Sequence, residues 1–274
     1  MSELRARMQE CAEYIQSKVE FQPEVGIILG TGLGTFASEI EVVATVPYSE
    51  IPNFPVSTVM GHKGQLVFGH IAGKKVVAMQ GRFHLYEGYS AKEVTFPVRV
   101  LKALGIKTLL ISNAAGGINA QMNNGDLMLI TDHINFQIEN PLRGENDEEL
   151  GPRFPDMSDA YSSVLLDKMR RIISNEGIDV IEGVYLGLQG PNLETKSEYR
   201  AFHLWGADAV GMSTVPEVLV ANHMSLPVLA MSVITNVCYP PERVKETTHE
   251  EVIEVANAAE PKLARLFKGL IAQL

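Results

Sequence analysis

Hydrophobic positions along the chain fall into short runs closed by small or polar residues, the pattern of strands that end in loops. Val25-Gly26-Ile27-Ile28-Leu29 is a β-rich run ending at Gly30, and Gln65-Leu66-Val67-Phe68 with Lys75-Val76-Val77-Ala78-Met79 flank Ala72-Gly73 as a hairpin would. Further strands are predicted over 108–112, 127–131, 180–188, 207–212 and 228–235. Helical periodicity covers 91–104, 162–175, 196–205, 216–224 and 249–274. Pro97 implies a kink or a late start in the first of these, and Pro261 a bend in the last. Strands alternating with helices predict an α/β fold, with a mixed or largely parallel central sheet and helices on both faces. No linker, repeat or low-complexity tract interrupts the chain, so residues 1–274 read as a single domain.

Composition narrows the function. With 274 residues, 46% hydrophobic and 20% charged, the chain can bury a sizeable core. A formal net charge of -10 speaks against a nucleic-acid or anionic-membrane surface, so an anionic substrate must be held by a local cluster. The two cysteines, Cys11 and Cys238, form no CxxC pair, which argues against a disulfide framework or zinc cluster and fits a reducing cytoplasm. The first twenty residues have no apolar signal-like core and no run of eighteen apolar residues occurs, so a soluble, unexported protein is expected.

Candidate chemistry lies where strands end. Gly81-Arg82-Phe83-His84-Leu85-Tyr86-Glu87-Gly88-Tyr89 gathers cationic, imidazole, phenolic and carboxylate groups between glycines, as an anion or small-molecule site would; a solvated surface turn is the alternative. Gly30-Thr31-Gly32-Leu33-Gly34 follows a strand and precedes the helical stretch 35–38, so its backbone N–H groups suit an anion, or it is simply a tight turn. It matches neither the dinucleotide GxGxxG nor a P-loop. Asn113-Ala114-Ala115-Gly116-Gly117 repeats the device as a small-residue loop. Gly211-Met212-Ser213-Thr214-Val215 resembles a nucleophile elbow until Val215 replaces its last glycine, which disfavours a serine hydrolase. The seven histidines show no metal-ligand spacing, and His70, His133, His203 and His223 read as structural. Glu194 stands before a helix, where a first-turn capping acid is one reading and a site residue the other. Asn236 ends an apolar strand with an amide that both donates and accepts.

Taken together, and in this order along essentially the whole chain, the glycine-rich 30–34 loop, Gly61-His62-Lys63-Gly64, the 81–89 segment, Thr95-Phe96-Pro97-Val98-Arg99, Asn113–Gly117, Asp132-His133-Ile134-Asn135, Gly190-Pro191-Asn192-Leu193-Glu194-Thr195 and Val210-Gly211-Met212-Ser213-Thr214-Val215-Pro216-Glu217-Val218 resemble the trimeric purine nucleoside phosphorylases. The resemblance implies the mixed-sheet fold of that family and reversible phosphorolysis of purine (deoxy)ribonucleosides in purine salvage, with no metal or organic cofactor and inorganic phosphate as co-substrate. It implies phosphate ligation by Thr31, His62, Arg82, His84, the backbone at Ala114, and Ser213. It places Tyr86, Met212, Val210 and Leu193 along the nucleoside, His249 at the 5′-hydroxyl, and Glu194 and Asn236 on the base. Asn236, Glu194 and His84 are the expected catalytic residues, and 6-oxopurines such as inosine and guanosine the expected substrates. It also implies a homotrimer in which Phe154 reaches a neighbouring subunit's sugar pocket.

The chain departs from the family at three places. Thr31 stands where Ser is common, which keeps the hydroxyl. Leu193 replaces a Phe before the base-facing Glu and loses a stacking surface. The segment 237–248, with Cys238-Tyr239-Pro240-Pro241, diverges most and has the position of a mobile lid before His249. A methylthioadenosine phosphorylase shares the fold but typically has an acid in place of Asn236. A xanthosine-preferring phosphorylase shares the 6-oxo contact, and an idle nucleoside-binding protein would lack the phosphate ligands Arg82, His84 and Ser213, which this chain retains.

Overall fold

The computed structural model of the chain describes residues 1–31, 33–56 and 63–274. Among the described residues nine strands form one mixed sheet: β1 (Val25–Leu29), β2 (Glu41–Pro47), β3 (Gln65–Ile71), β4 (Lys74–Gln80), β5 (Thr108–Gly117), β6 (Leu127–Asn135), β7 (Val180–Gly187), β8 (Ala209–Gly211) and β9 (Val228–Val237). Their order is β2-β3-β4-β1-β5-β8-β7-β6-β9, and β9 returns to pair with β5. The strands β5, β8, β7, β6 and β9 therefore close into a barrel, and β4, β1 and β5 run parallel beside it.

Every residue of β1 is buried, as an apolar strand parallel to neighbours on both edges requires. The β3–β4 hairpin forms where expected, with positive φ at both Ala72 and Gly73 matching the strand twist. Of the six α-helices among the described residues, five form two groups: α1 (Glu3–Lys18) and α5 (Val215–His223) both pack on α2 (Ala91–Ala103), and α3 (Ser163–Glu176) packs with α6 (His249–Ile271), which lies on β9. The remaining helix is α4 (Lys196–Leu204). Capping boxes start α2 at Ser90 with Glu93, α4 at Thr195 with Glu198 and α6 at Thr248 with Glu251. Among the described residues no helix is long and apolar enough to cross a membrane.

The structure corrects several sequence expectations. Asn113–Gly117 is not a loop but the end of β5, paired with β9 and at Gly116 and Gly117 with β8. Small residues are needed there for packing: a Cβ on Gly116 would lie 2.7 Å from the Cys238 sulfur. α2 runs through Pro97 from Ala91, so no late start occurs. Residues 34–39 form a 3-10 turn, held by the buried Glu260 carboxylate of α6, which accepts from the Phe36 N–H. α1 and β2 were not foreseen. The buried stripe of α1, Met8, Cys11, Ala12 and Ile15, is diluted by charged neighbours, and β2 is an edge strand with most side chains exposed.

Gly30 joins β1 to the glycine-rich loop, and a Cβ there would lie 2.8 Å from both the Cα of Asn113 and the carbonyl oxygen of Ser112. Because those are backbone atoms, Gly30→Ala should lower unfolding free energy by about 1–3 kcal/mol in urea titration. An unchanged midpoint would show that β1 and β5 can separate there without cost.

Candidate active site

The carboxyl ends of β1, β4, β5 and β9 open onto a cavity of about 740 Å³. Its walls bring together twelve of the candidate residues: Thr31, Arg82, His84, Tyr86, Ala114, Leu193, Glu194, Val210, Met212, Ser213, Asn236 and His249. Phe154 is not among them and stands 87% exposed elsewhere on this chain, while His62 falls outside the described residues. A larger cavity of about 940 Å³ lies between α1, α2 and residues 141–150. None of the candidate residues reaches it, so the convergent chemistry places the site in the smaller one.

Arg82 leaves β4 through Gly81, and its side chain is 1% exposed. Its fork faces Glu217 of α5, Nε to Oε1 at 3.1 Å and Nη2 to Oε2 at 3.0 Å, rather than the open cavity. Nη1 donates to the Ser112 carbonyl at 2.9 Å and to the Ser213 hydroxyl at 3.0 Å. The sequence reading missed Glu217 because one acid in an apolar helical run gives no local sign of a partner 135 residues away. The cation is neutralised behind the site and reaches the cavity through its Nη1 edge and a polarised serine.

Ser213 is held by backbone strain. Thr214 has φ 70 and ψ -53, and Val215 N–H donates to the Ser213 carbonyl at 2.8 Å, closing a γ-turn that directs the chain from β8 into α5. Asn113 Nδ2, donating to Thr214 Oγ1 at 2.9 Å, and the Tyr185 hydroxyl, accepting from Ser213 N–H at 3.3 Å, pin it. Such a conformation costs of order 1–3 kcal/mol and persists only when its surroundings over-determine it. The Ser213 hydroxyl meets Arg82 and Thr214, not an imidazole, in keeping with the rejection of a serine hydrolase.

His84 Nδ1 faces Glu87 Oε1 at 3.1 Å, and its ring stacks on Tyr86 with centroids 4.5 Å apart. Burial holds its pKa below the usual imidazole range, opposed by Glu87. On the other wall, Glu194 precedes the Thr195 cap of α4, and the first-turn acid is Glu198, so the capping reading of Glu194 does not hold. Burial raises the Glu194 carboxyl above its ordinary range, partly offset by the Tyr199 hydroxyl. Asn236 receives the Thr235 hydroxyl on Oδ1 at 3.2 Å and gives Nδ2 to the Cys238 sulfur at 3.1 Å. The histidines read as structural pair as such: His133 with Tyr161, His223 with Asn146, His203 stacked on Tyr239, and His70 edge-on to Phe21.

Comparison with known proteins places the chain in a family. The model of the Phosphorylase superfamily matches residues 24–272. Purine nucleoside phosphorylase 1 of Geobacillus stearothermophilus is 49% identical over 270 residues, covering 98% of each chain. The purine nucleoside phosphorylase of Bos taurus is 49% identical over 272 residues, 97% of this chain and 94% of its own. The chain belongs to the purine nucleoside phosphorylase family. It is thus a pentosyltransferase, and its fold superposes with a TM-score of 0.93, at 44% identity over 98% of this chain and 96% of the other, on isoform 2 of the Schistosoma mansoni purine nucleoside phosphorylase, solved with cytosine and ribose-1-phosphate. A second Schistosoma mansoni purine nucleoside phosphorylase, in complex with adenosine, also gives 0.93, at 40% identity over 98% of this chain and 97% of the other.

Replacing Glu217 by Gln would leave the Arg82 cation buried without its counter-charge. Glu217→Gln should cost about 3 kcal/mol or more in unfolding free energy, read by denaturant titration. A cost under about 1 kcal/mol would mean that Arg82 is compensated by other groups.

Proposed function

We propose that this phosphorylase cleaves 6-oxopurine nucleosides, inosine and guanosine, and transfers the (deoxy)ribosyl group to inorganic phosphate without a metal or organic cofactor. The observation that carries the reading is that Glu194 and Asn236 share one cavity with Arg82, His84 and Ser213. A carboxylate and a carboxamide suit a purine edge, and the arginine-polarised hydroxyl, the imidazole, the Thr31 hydroxyl and the Ala114 backbone suit an oxyanion.

Cleavage of the glycosidic bond leaves cationic character on the sugar and negative charge on the base. Phosphate held below C1′ attacks as the bond to N9 breaks, and its charge stabilises the oxocarbenium-like sugar. The electron pair of that bond moves into the purine, where Asn236 Nδ2 donates toward N7. Glu194, ionised, accepts from N1–H of a 6-oxopurine. Adenine offers a lone pair at N1, which leaves that carboxylate unpaired. The elevated Glu194 pKa supports a second reading on the acid side, because a protonated Glu194 donates to adenine N1. The homologue solved with adenosine makes that reading worth testing. Tyr86, Met212 and His249 line the sugar position. A homotrimer, in which the exposed Phe154 closes a neighbour's sugar pocket, completes the proposed active unit.

The primary test is phosphate-dependent release of base from inosine, guanosine, xanthosine and adenosine, with and without EDTA. Release from inosine and guanosine that requires phosphate and resists EDTA is expected, and release without phosphate would mean a hydrolase. Asn236→Asp should depress inosine turnover and raise adenosine turnover, while unchanged selectivity would remove Asn236 from the base.

His84 supplies a second prediction. Its depressed pKa leaves it neutral in the empty site, with Nδ1–H directed at Glu87, and a bound dianion favours the imidazolium. Phosphate binding should therefore take up a proton, and affinity should weaken as pH rises through the His84 pKa of the complex. Calorimetry in buffers of differing ionisation heat, at mildly alkaline pH where free phosphate is already a dianion, reads that uptake. Heats independent of the buffer would rule out His84 as the proton acceptor.

A further inference from the structure

The larger cavity, of about 940 Å³ between α1, α2 and residues 141–150, takes no part in the chemistry described so far. A volume of that order suits a small organic molecule. Arg99 of α2 and His223 in the last turn of α5 both line it, 6% and 3% exposed. Among the described residues no hydrogen-bond partner meets Arg99 Nη1 or His223 Nδ1.

The two buried atoms have opposite needs. Nη1 of a guanidinium can only donate. Burial lowers the Arg99 pKa to about 10, opposed by Asp147, so the group is cationic near neutral pH. On the imidazole, the neighbour of Nε2 fixes the hydrogen. Asn146 Nδ2 donates to Glu148 at 2.7 Å and to the Gly151 carbonyl at 3.0 Å, so Asn146 Oδ1 accepts, and Nε2 donates to it at 3.0 Å. Burial holds the His223 pKa below its usual range, and Nδ1 of the neutral ring is therefore an acceptor.

The acids around the cavity are engaged elsewhere or stand in solvent. Asp147 accepts from Arg5 Nε at 2.6 Å, from the Ser2 hydroxyl and from the Glu149 N–H. Glu93 caps α2 through Ser90, and Glu148 holds Asn146. Glu3, Glu145 and Glu149 are exposed. A buried cation without an adjacent counter-charge is costly, which calls for an anion, while the acidic surroundings oppose one that carries two charges. A carboxylate has a single charge and a plane that matches the guanidinium fork. The donor that Nδ1 lacks must be neutral, because an ammonium there would share the cavity with the Arg99 cation, and a hydroxyl meets that condition. Phe54 and Phe96, edge to face with centroids 6.3 Å apart, and Pro55 and Leu142 supply apolar wall.

We propose that this cavity is a binding site for a small hydroxycarboxylic acid, separate from the nucleoside cavity: the carboxylate neutralises Arg99, the hydroxyl donates to His223, and an apolar body rests on Phe54 and Phe96.

The probe is phenyllactate, compared with phenylpropionate, which lacks the hydroxyl, and phenyllactamide, which lacks the charge. Each is titrated calorimetrically into the unaltered protein and into Arg99→Gln, and a crystal is soaked in phenyllactate. Phenyllactate should bind the unaltered protein, phenylpropionate about fivefold more weakly, and phenyllactamide at least about tenfold more weakly. Arg99→Gln should weaken phenyllactate by at least about tenfold while its unfolding midpoint in urea stays at or above that of the unaltered protein, since an uncompensated buried charge has been removed. The soaked crystal should place the carboxylate against Arg99. Absence of binding to the unaltered protein, an affinity unchanged in Arg99→Gln, or a crystal in which only water or an acid of this chain meets Arg99 would overturn the site. A lower midpoint in Arg99→Gln would do the same, because it would show that Arg99 is already compensated within the chain. Equal affinities for phenyllactate and phenylpropionate would overturn the contact with His223, and with it the choice of a hydroxycarboxylic acid.

Discussion

The site depends on one buried ion pair. Arg82 and Glu217, 1% and 3% exposed, meet through two parallel hydrogen bonds where the end of β4 approaches the first turn of α5. Removing two charges from water is costly, and further hydrogen bonds from the guanidinium offset part of that cost. Those bonds run to the Ser112 carbonyl in β5 and to the Ser213 hydroxyl on the strained turn. One side chain thereby ties together β4, β5 and the β8–α5 junction, the three segments that shape the anion side of the cavity. Neutralising the arginine in this way also leaves that side polar without an unbalanced cation. In the proposed reading an oxyanion would be met there by hydroxyls, backbone dipoles and an imidazole able to take up a proton.

The base side is built on different physics. Crowding, rather than charge, locates it: Gly116 leaves room for the Cys238 sulfur, the Asn236 amide and Val210 at the point where β5 is paired with β9 and β8 at once. Barrel closure brings the ends of β5 and β9 together beside the segment following β7, which carries Glu194, so two residues distant in sequence face one cavity. The cap of α4 at Thr195 fixes where the helix begins and leaves Glu194 just outside it, directed into the cavity instead of along the helix axis. Behind this wall the buried Cys238 sulfur accepts from Asn236 Nδ2 at 3.1 Å.

Much of this was legible in the sequence. Apolar runs ending in glycine or amide residues marked β1, β4, β5 and β9, because a strand parallel to buried neighbours must be apolar throughout. Ten of the twelve candidates that line the cavity lie in the ordered motifs, Asn236 and His249 outside them, and family membership followed from the whole set rather than from any one loop. Two elements were hidden: α1, whose apolar stripe is diluted by charge, and β2, whose exposed edge position demands little of its side chains. The Asn113–Gly117 segment was misread for a related reason, since small residues signal both turns and tight strand packing, and only the neighbouring strands distinguish them.

The sequence by itself determined which chemical groups are present and the local elements that carry them, since periodicity, caps and turn residues act over a few positions. It established an α/β phosphorylase with hydroxyl, imidazole, carboxylate and amide groups at strand ends. Tertiary structure alone decided how those groups are spent. Arg82 is paired with an acid 135 residues away, and the turn that presents Ser213 is pinned by Asn113 of β5 and Tyr185 of β7. Each is a contact between distant segments, and hydrogen bonds and ion pairs depend on separation in space, which a linear pattern of residues does not contain.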